Sequence, residues 1–377
     1  MKQLEKIIAL GMLLFAIGFN LWLYRLEPTA TIDPNDNTFQ YALVDRTNQI
    51  WDFAVKKCSS SFGHWDLRFG ICQISYLVDH WVPNWAQGYN LPTYYSHIPQ
   101  ILIVGSYRIL SQFSILSSQF SLFQYYHLII YLLLSLFPLT VFLSLRLIRL
   151  PWLIAGIGAL LASHISTDGL YGLDPASFLW RGYGLTSQLF AMIPLPLAIA
   201  SSWRYFSTSQ FSILSPRRRV AEGGDNSQFF SSIFFLVATT SGHLGLGIIA
   251  ILSLIPLVFV EPIMLFIHQW NNEAMKHLKN NVVKLFLLSA TTIFFLSYWI
   301  IPILLGDNYH NISVWDPPWK FNSFGAKEIM IRLFNGDLFD FGRFPVLTLL
   351  VIVGIFACLW KTAVKIGNVW PQANKTD

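Results

Sequence analysis

The sequence predicts an all-α polytopic membrane protein, and three observations carry that reading. Of its 377 residues, 54% are hydrophobic and only 12% are charged, whereas an ordinary soluble domain has about 25% charged residues. The mean hydropathy is +0.49. The apolar residues also gather into eight runs, at 7–24, 125–147, 151–167, 183–203, 229–243, 244–267, 284–305 and 344–361, several of them close to the shortest length that can span a bilayer. A net charge of +5 and a pI near 9.0 would suit nucleic acid in a polar chain. In an apolar chain, basic residues mark the cytoplasmic ends of helices, so nucleic acid is not expected as a partner.

The first run follows Lys2 and Lys6 and has spanning length. No small-x-small site precedes Glu27, so residues 1–24 are expected to remain as an uncleaved anchor with the N-terminus inside. Threading the other seven runs from there puts 14 of the 25 basic residues on the cytoplasmic side, among them Arg146, Arg149, Arg217, Arg218, Arg219 and Lys276. The outer loops receive 14 of the 20 acids. That asymmetry is what the positive-inside rule requires. The threading is most sensitive at His243, where one kinked helix in place of two would invert everything downstream.

The whole chain, 1–377, then forms a single integral membrane domain. After the anchor comes a first outer loop, 25–124, containing short helices. The membrane bundle, 125–361, includes a further outer loop at 306–343, and 362–377 is a cytoplasmic tail, so both termini are expected in the cytoplasm. Loops this long are usually functional or disordered, and their Trp and Tyr content argues against disorder. The heptapeptide "SQFSILS" occurs at 111–117 and again at 209–215; two scattered copies cannot build a solenoid and read as low-complexity insertions. Cys58 and Cys72 both fall in the first outer loop, while Cys358 lies in the last apolar run. In an oxidising compartment the first two could pair, worth about 3 kcal/mol for a loop of about 15 residues; two free buried thiols are the alternative.

The sequence has no phosphate-binding Gly-rich loop with Lys, no His-Glu-x-x-His, no Cys-x-x-Cys pair and no Gly-x-Ser-x-Gly. The polar candidates fall instead into four clusters, all delivered to the outer face. The stretch "ATIDPNDNTFQYALVDR", 30–46, supplies Asp33 and Asp36, which could take a proton from a hydroxyl or hold a divalent cation. Turn formation by Asp33-Pro34 and N-capping by Asp36 are the structural alternatives. "DHWVPNWAQGYNLPTYYSHIP", 79–99, adds Asp79, His80, Trp81, Tyr94, Tyr95 and His97.

In "SHISTDGLYGLDPASFLWRGYGLTSQ", 163–188, Arg181 could snorkel as an anchor or grip a lipid phosphate. His243, within "TTSGHLGLG", is an ionisable residue among small ones at a helix end, either a functional group or a hydrogen-bonded packing residue. "NGDLFDFGRFP", 335–345, brings Asp337, Asp340 and Arg343 to the mouth of the last run, where a guanidinium can hold two phosphate oxygens.

The order of these motifs, with "GLDPASFLWRGYGLTSQLFAM" and "LFNGDLFDFGRFP", resembles bacterial and archaeal membrane proteins labelled as 6-pyruvoyl-tetrahydropterin-synthase-related. These are relatives of the C-type membrane glycosyltransferases. The resemblance covers most of the chain. It implies a C-type glycosyltransferase-like fold in a bacterial inner membrane, and transfer of a sugar from a polyprenyl-phosphate donor to a saccharide or lipid acceptor of the envelope. By the same resemblance Asp36, or else Asp33, would be the general base or a metal ligand, so a divalent cation is the one cofactor to consider.

Arg181 and Arg343 would meet the lipid phosphate, and Trp81, Tyr94 and Tyr95 would stack on sugar rings beside Asp79 and His80. The adjacent acidic pair common in such transferases is replaced here by Asp33 and Asp36, three positions apart. Pterin chemistry has no matching triad of histidines. A transporter or flippase of lipid-linked saccharide, and a non-catalytic protein that keeps the fold, are the alternatives.

Overall fold

A computed structural model describes residues 2–29, 37–63, 66–83, 88–91, 96–112, 120–164, 186–207, 225–268, 272–306, 325–337, 348–354 and 356–357. Among them, thirteen α-helices, one 3-10 turn and a two-residue antiparallel hairpin make up the regular structure, with further helix at 348–354. The chain is an all-α membrane protein. Three helical stretches are long and apolar enough to cross a bilayer, Gln3–Thr29, Leu122–Leu147 and Thr186–Ser207, and a bent pair makes a fourth if it counts as one span. Helix occupies each of the eight apolar runs, but some pieces fall short of a membrane's thickness. The helix Trp152–His164 has 13 residues, about 20 Å at 1.5 Å per residue, against a hydrocarbon core of about 30 Å.

The described residues divide into two compact units, residues 1–258 with 281–308, and residues 259–280 with 309–377. In the first unit, α1 (Lys2–Leu23), α5 (Leu122–Leu147) and α6 (Trp152–His164) pack side by side. Small residues set the closest approach: a Cβ on Gly156 of α6 would stand 2.9 Å from Ala9 Cα of α1. Backbones that close are how apolar helices gain van der Waals contact where lipid supplies no hydrophobic drive. Asn20 of α1 adds a hydrogen bond to the Leu134 carbonyl of α5 at 3.0 Å, and the Tyr131 hydroxyl donates to the Leu21 carbonyl at 3.0 Å. α5 begins at a capping box in which Ser121 and Gln124 satisfy each other's backbone amides.

The described residues of the segment expected as the first outer loop, 25–124, are mostly helical. In α2 (Asn37–Ser59) the buried positions Leu43, Val44, Thr47, Ile50, Ala54 and Cys58 recur at helical spacing. They turn one face toward α4 (Ile98–Gln112) and α5. α3 (Leu67–Val78) starts at Asp66, whose carboxylate accepts from the Arg68 amide, and packs on α2. Cys58 and Cys72 form a disulfide that ties the end of α2 to α3, so the paired alternative holds. β1 (Trp81–Val82) and β2 (Tyr89–Asn90) pair antiparallel, and Val82, Leu91 and Leu43 form a small core beneath them.

Three breaks shape the rest of this unit. α7 (Thr186–Met192) stops before Pro194, which lacks the amide a continuous helix needs, and α8 (Leu195–Ser207) resumes after it. α9 (Asp225–Gly242) and α10 (Leu244–His268) separate at His243, the position to which the threading is most sensitive. A Cβ on Gly247 would lie 2.6 Å from Thr240 Cβ. Residues seven apart in one straight helix stand about two turns from each other, so the chain folds sharply there. α11 (Asn272–Phe295) and α12 (Ser297–Leu305) meet at an angle of 78°. Buried Lys284 of α11 donates to the Tyr205 carbonyl in the last turn of α8 at 2.8 Å, a cation placed where a helix C-terminus favours it.

In the second unit, α13 (Gly325–Phe334) carries an exposed pair between Arg332 and Glu328, 2.9 Å apart and four residues along the helix.

Candidate functional site

A buried polar layer lies where the first turns of α2, α4 and α5 meet the end of α9. Asn37, the first residue of α2, is fully buried. Its side-chain oxygen accepts from the Thr186 amide at 3.1 Å and from the Thr186 hydroxyl at 3.0 Å, which joins α2 to the start of α7. The Tyr126 hydroxyl of α5 contacts the same Thr186 hydroxyl. One helical turn along α2, Gln40 faces Gln100 of α4 at 3.4 Å. Gln100, with its amide turned to satisfy both ends, donates to the Ser96 and His97 carbonyls at 3.0 and 3.1 Å. The Ser96 hydroxyl donates to the Ser241 carbonyl in the last turn of α9, and the buried His97 ring packs edge-on against Tyr298 of α12.

Behind this layer, Glu27 of the 3-10 turn Glu27–Thr29 meets His127 of α5 at 2.9 Å, both side chains less than 5% exposed. Phe123 and Tyr126 set their rings edge-on to the imidazole. Several polar atoms of the layer are buried without a hydrogen-bond partner among the described residues: one end of the Gln40 amide, the Ser187 hydroxyl and His127 Nε2. A buried polar group left unpaired costs about 1–3 kcal/mol, so each marks a place where a ligand or further chain would be favoured. Helix N-termini carry partial positive charge. The first turns of α2 and α4 therefore bring positive potential to the layer, while the end of α9 and the Glu27 carboxylate bring negative.

The expected site residues divide by location. His243, next to Ser241, sits at the edge of the layer. Its Nδ1 accepts from the Leu246 amide at 3.3 Å, so the ring caps α10 and carries its proton on Nε2 when neutral. Asp79, His80 and Trp81 belong to the hairpin. Asp79 accepts from the Asn90 side chain at 2.8 Å, His80 is buried with Nδ1 3.1 Å from the Tyr76 carbonyl, and the Trp81 carbonyl accepts from Arg46 at 2.9 Å. Burial holds the His80 imidazole below its usual pKa. The Trp81 ring covers Gly88, which has φ of +96° and no room for a side chain, yet Trp81 itself remains 52% exposed.

Asp33, Asp36, Tyr94, Tyr95, Arg181, Asp340 and Arg343 lie outside the described residues, as do Cys358 and the side chains of His164 and Glu261. Among the described residues, no three His, Cys, Asp or Glu side chains gather to hold a metal.

Glu27, His127, Gln40, Gln100, Tyr126 and Thr186 were not among the sequence candidates. A faint signal existed: Asn37 and Gln40 share a face with the apolar positions of α2, and His127 follows two tyrosines inside an apolar run. Compared with protein-family models, curated proteins and solved structures, the chain matches none. The family resemblance therefore rests on the sequence motifs alone.

Proposed function

We propose that the chain is a membrane glycosyltransferase-like enzyme that moves a sugar from a polyprenyl-phosphate donor to an envelope acceptor at the extracytoplasmic face of a bacterial inner membrane. In this reading the eight helical runs thread the bilayer with both termini in the cytoplasm. The observation that supports it is the buried polar layer with unpaired groups on Gln40, Ser187 and His127, set at helix N-termini. Such a layer suits the polar head of a lipid-linked donor, whose oxygens would meet those unpaired groups. Asp36 is the residue before Asn37 and Arg181 lies five before Thr186, so the expected base and phosphate ligand adjoin, in sequence, two residues of the layer. The Cys58–Cys72 disulfide suits an oxidising, extracytoplasmic compartment.

The acceptor hydroxyl would give its proton to Asp36 as its oxygen bonds the anomeric carbon. The bond from that carbon to the phosphate oxygen breaks, and polyprenyl phosphate leaves with the electron pair. Base beside acceptor and positive potential beside the leaving group are what such a displacement needs. Arg181 and Arg343 would hold the phosphate, while Tyr94, Tyr95 and the exposed part of Trp81 would contact the sugar.

The test is transfer of label from a radiolabelled polyprenyl-phosphate sugar in membranes containing the protein, beside Asp36→Ala and Gln40→Ala variants. Transfer that is lost in Asp36→Ala and weakened in Gln40→Ala is the expected result. Transfer undiminished in Asp36→Ala overturns its assigned role, and label that only changes leaflet marks a flippase instead.

A further inference from the structure

α3 presents the wrong face for a helix in water. Leu67, Ile71 and Ile74, spaced one and two turns apart, are 81%, 60% and 59% exposed, while Tyr76 on the opposite face sets its ring edge-on to Phe53 of α2 and Leu77 beside it is buried. Positions i, i+4 and i+7 line one stripe of a helix, so the exposed stripe of α3 is apolar along its length. Phe53 and Trp81, each 52% exposed, are two more large apolar side chains exposed in the same loop. An exposed apolar stripe of this kind marks a contact surface.

The surrounding charges indicate what is in contact. Lys56 and Lys57 occupy the last turn of α2 and are exposed, beside the disulfide that anchors α3. The acids nearest in sequence are already engaged, Asp52 by Arg108 and Asp66 by Arg68. An apolar stripe on a helix tied by a disulfide to the end of an element that carries exposed lysines suits a helix lying in a membrane interface, where lysines reach anionic headgroups. The helix belongs to a chain that already has bilayer-length apolar helices, so a lipid surface is within reach by covalent attachment.

We propose that α3 rests on the outer leaflet of the bilayer, with Leu67, Ile71 and Ile74 in the acyl–headgroup boundary and Lys56 and Lys57 on anionic headgroups. The disulfide holds the helix in that attitude. This placement stands apart from the transfer chemistry and holds whether or not the chain moves a sugar.

The test places photoreactive p-benzoylphenylalanine at Ile71, at Ile74 and, for comparison, at Gln49, an exposed polar position of α2 that bonds Asp45 and Arg46. The full chain is reconstituted in nanodiscs of phosphatidylcholine, with and without phosphatidylglycerol. Phospholipid adducts at 71 and 74 and not at 49, with the phosphatidylglycerol share falling in a Lys56→Ser, Lys57→Ser double variant, are the expected result. Adducts to a second copy or to no lipid at 71 and 74, or equal lipid labelling at 49, overturn the proposal. Hydroxyl-radical footprinting of the unsubstituted protein in the same nanodiscs guards against misfolded variants. Protection of Leu67, Ile71 and Ile74 supports the placement, and heavy oxidation of all three refutes it.

Discussion

Arg108 of α4 holds Asn48 of α2 by both side chain and backbone, donating to Oδ1 at 2.6 and 2.8 Å and to the carbonyl at 3.0 Å. The same guanidinium reaches Asp52 at 2.6 Å and lies over the Trp51 ring, 5.8 Å from its centre. One side chain thus carries most of the polar contact between the two helices. The hydrogen bond from Arg108 keeps the Asp52 carboxyl below its ordinary pKa.

Arg108→Ala is expected to loosen α2 from α4, while Asp52→Asn changes little. Asp52 is 68% exposed, and exposed ion pairs contribute only about 0–1 kcal/mol, whereas Asn48 loses three bonds with Arg108. Thermal unfolding of the two variants in one detergent checks the order, and an equal loss would move the lock to the ion pair.

His127→Ala is expected to cost about 1–3 kcal/mol, the range for taking away one partner of a buried hydrogen bond. Exchanging both residues for apolar ones of similar size, Glu27→Leu with His127→Phe, is expected to recover much of that loss. The readout is the unfolding midpoint of single and double variants. A double variant as weak as the single one would show that the pair contributes more than mutual compensation.

Breaking the Cys58–Cys72 link by Cys72→Ser is expected to destabilise the α2–α3 corner by about 3 kcal/mol, for a loop of roughly this length. Hydrogen exchange over α3, with and without reductant on the parent protein, tests it. The variant should be insensitive to reductant.

The buried, neutral His80 makes the hairpin sensitive to acid. Burial holds its folded pKa below the ordinary imidazole value of about 6.5, so the unfolded chain binds the proton more readily. The resulting stability is fully present above about 6.5 and is lost as pH falls through the lowered folded value. His80→Phe should flatten that part of the stability–pH curve, leaving any fall at lower pH to carboxylates such as Asp52. A curve unchanged by the substitution would assign the acid sensitivity elsewhere.

The helices were legible from apolar runs because burial in lipid or protein writes itself into composition, and the break at His243 was legible from the small residues around it. The outer loop was less so. α2 mixes polar and apolar residues too evenly for a hydropathy window, and only helical spacing, seen at Leu43, Thr47, Ile50 and Ala54, identifies it, while α3 is apolar but, at 12 residues, too short to read as a span. Among the site candidates, His243 and His97 reach the edge of one polar layer, while Asp79 and His80 serve the hairpin. Glu27–His127 escaped notice because its members stand a hundred positions apart, and nothing local in a sequence announces a partner at that distance.

The link between Cys58 and Cys72 also bears on biogenesis. In the proposed threading this segment is exported, and because thiols stay reduced in the cytosol its loop closes only once translocation has delivered it to an oxidising space. Strains deprived of their exported thiol oxidase should therefore accumulate a protease-sensitive, incompletely matured form, even though every hydrophobic stretch has been inserted correctly.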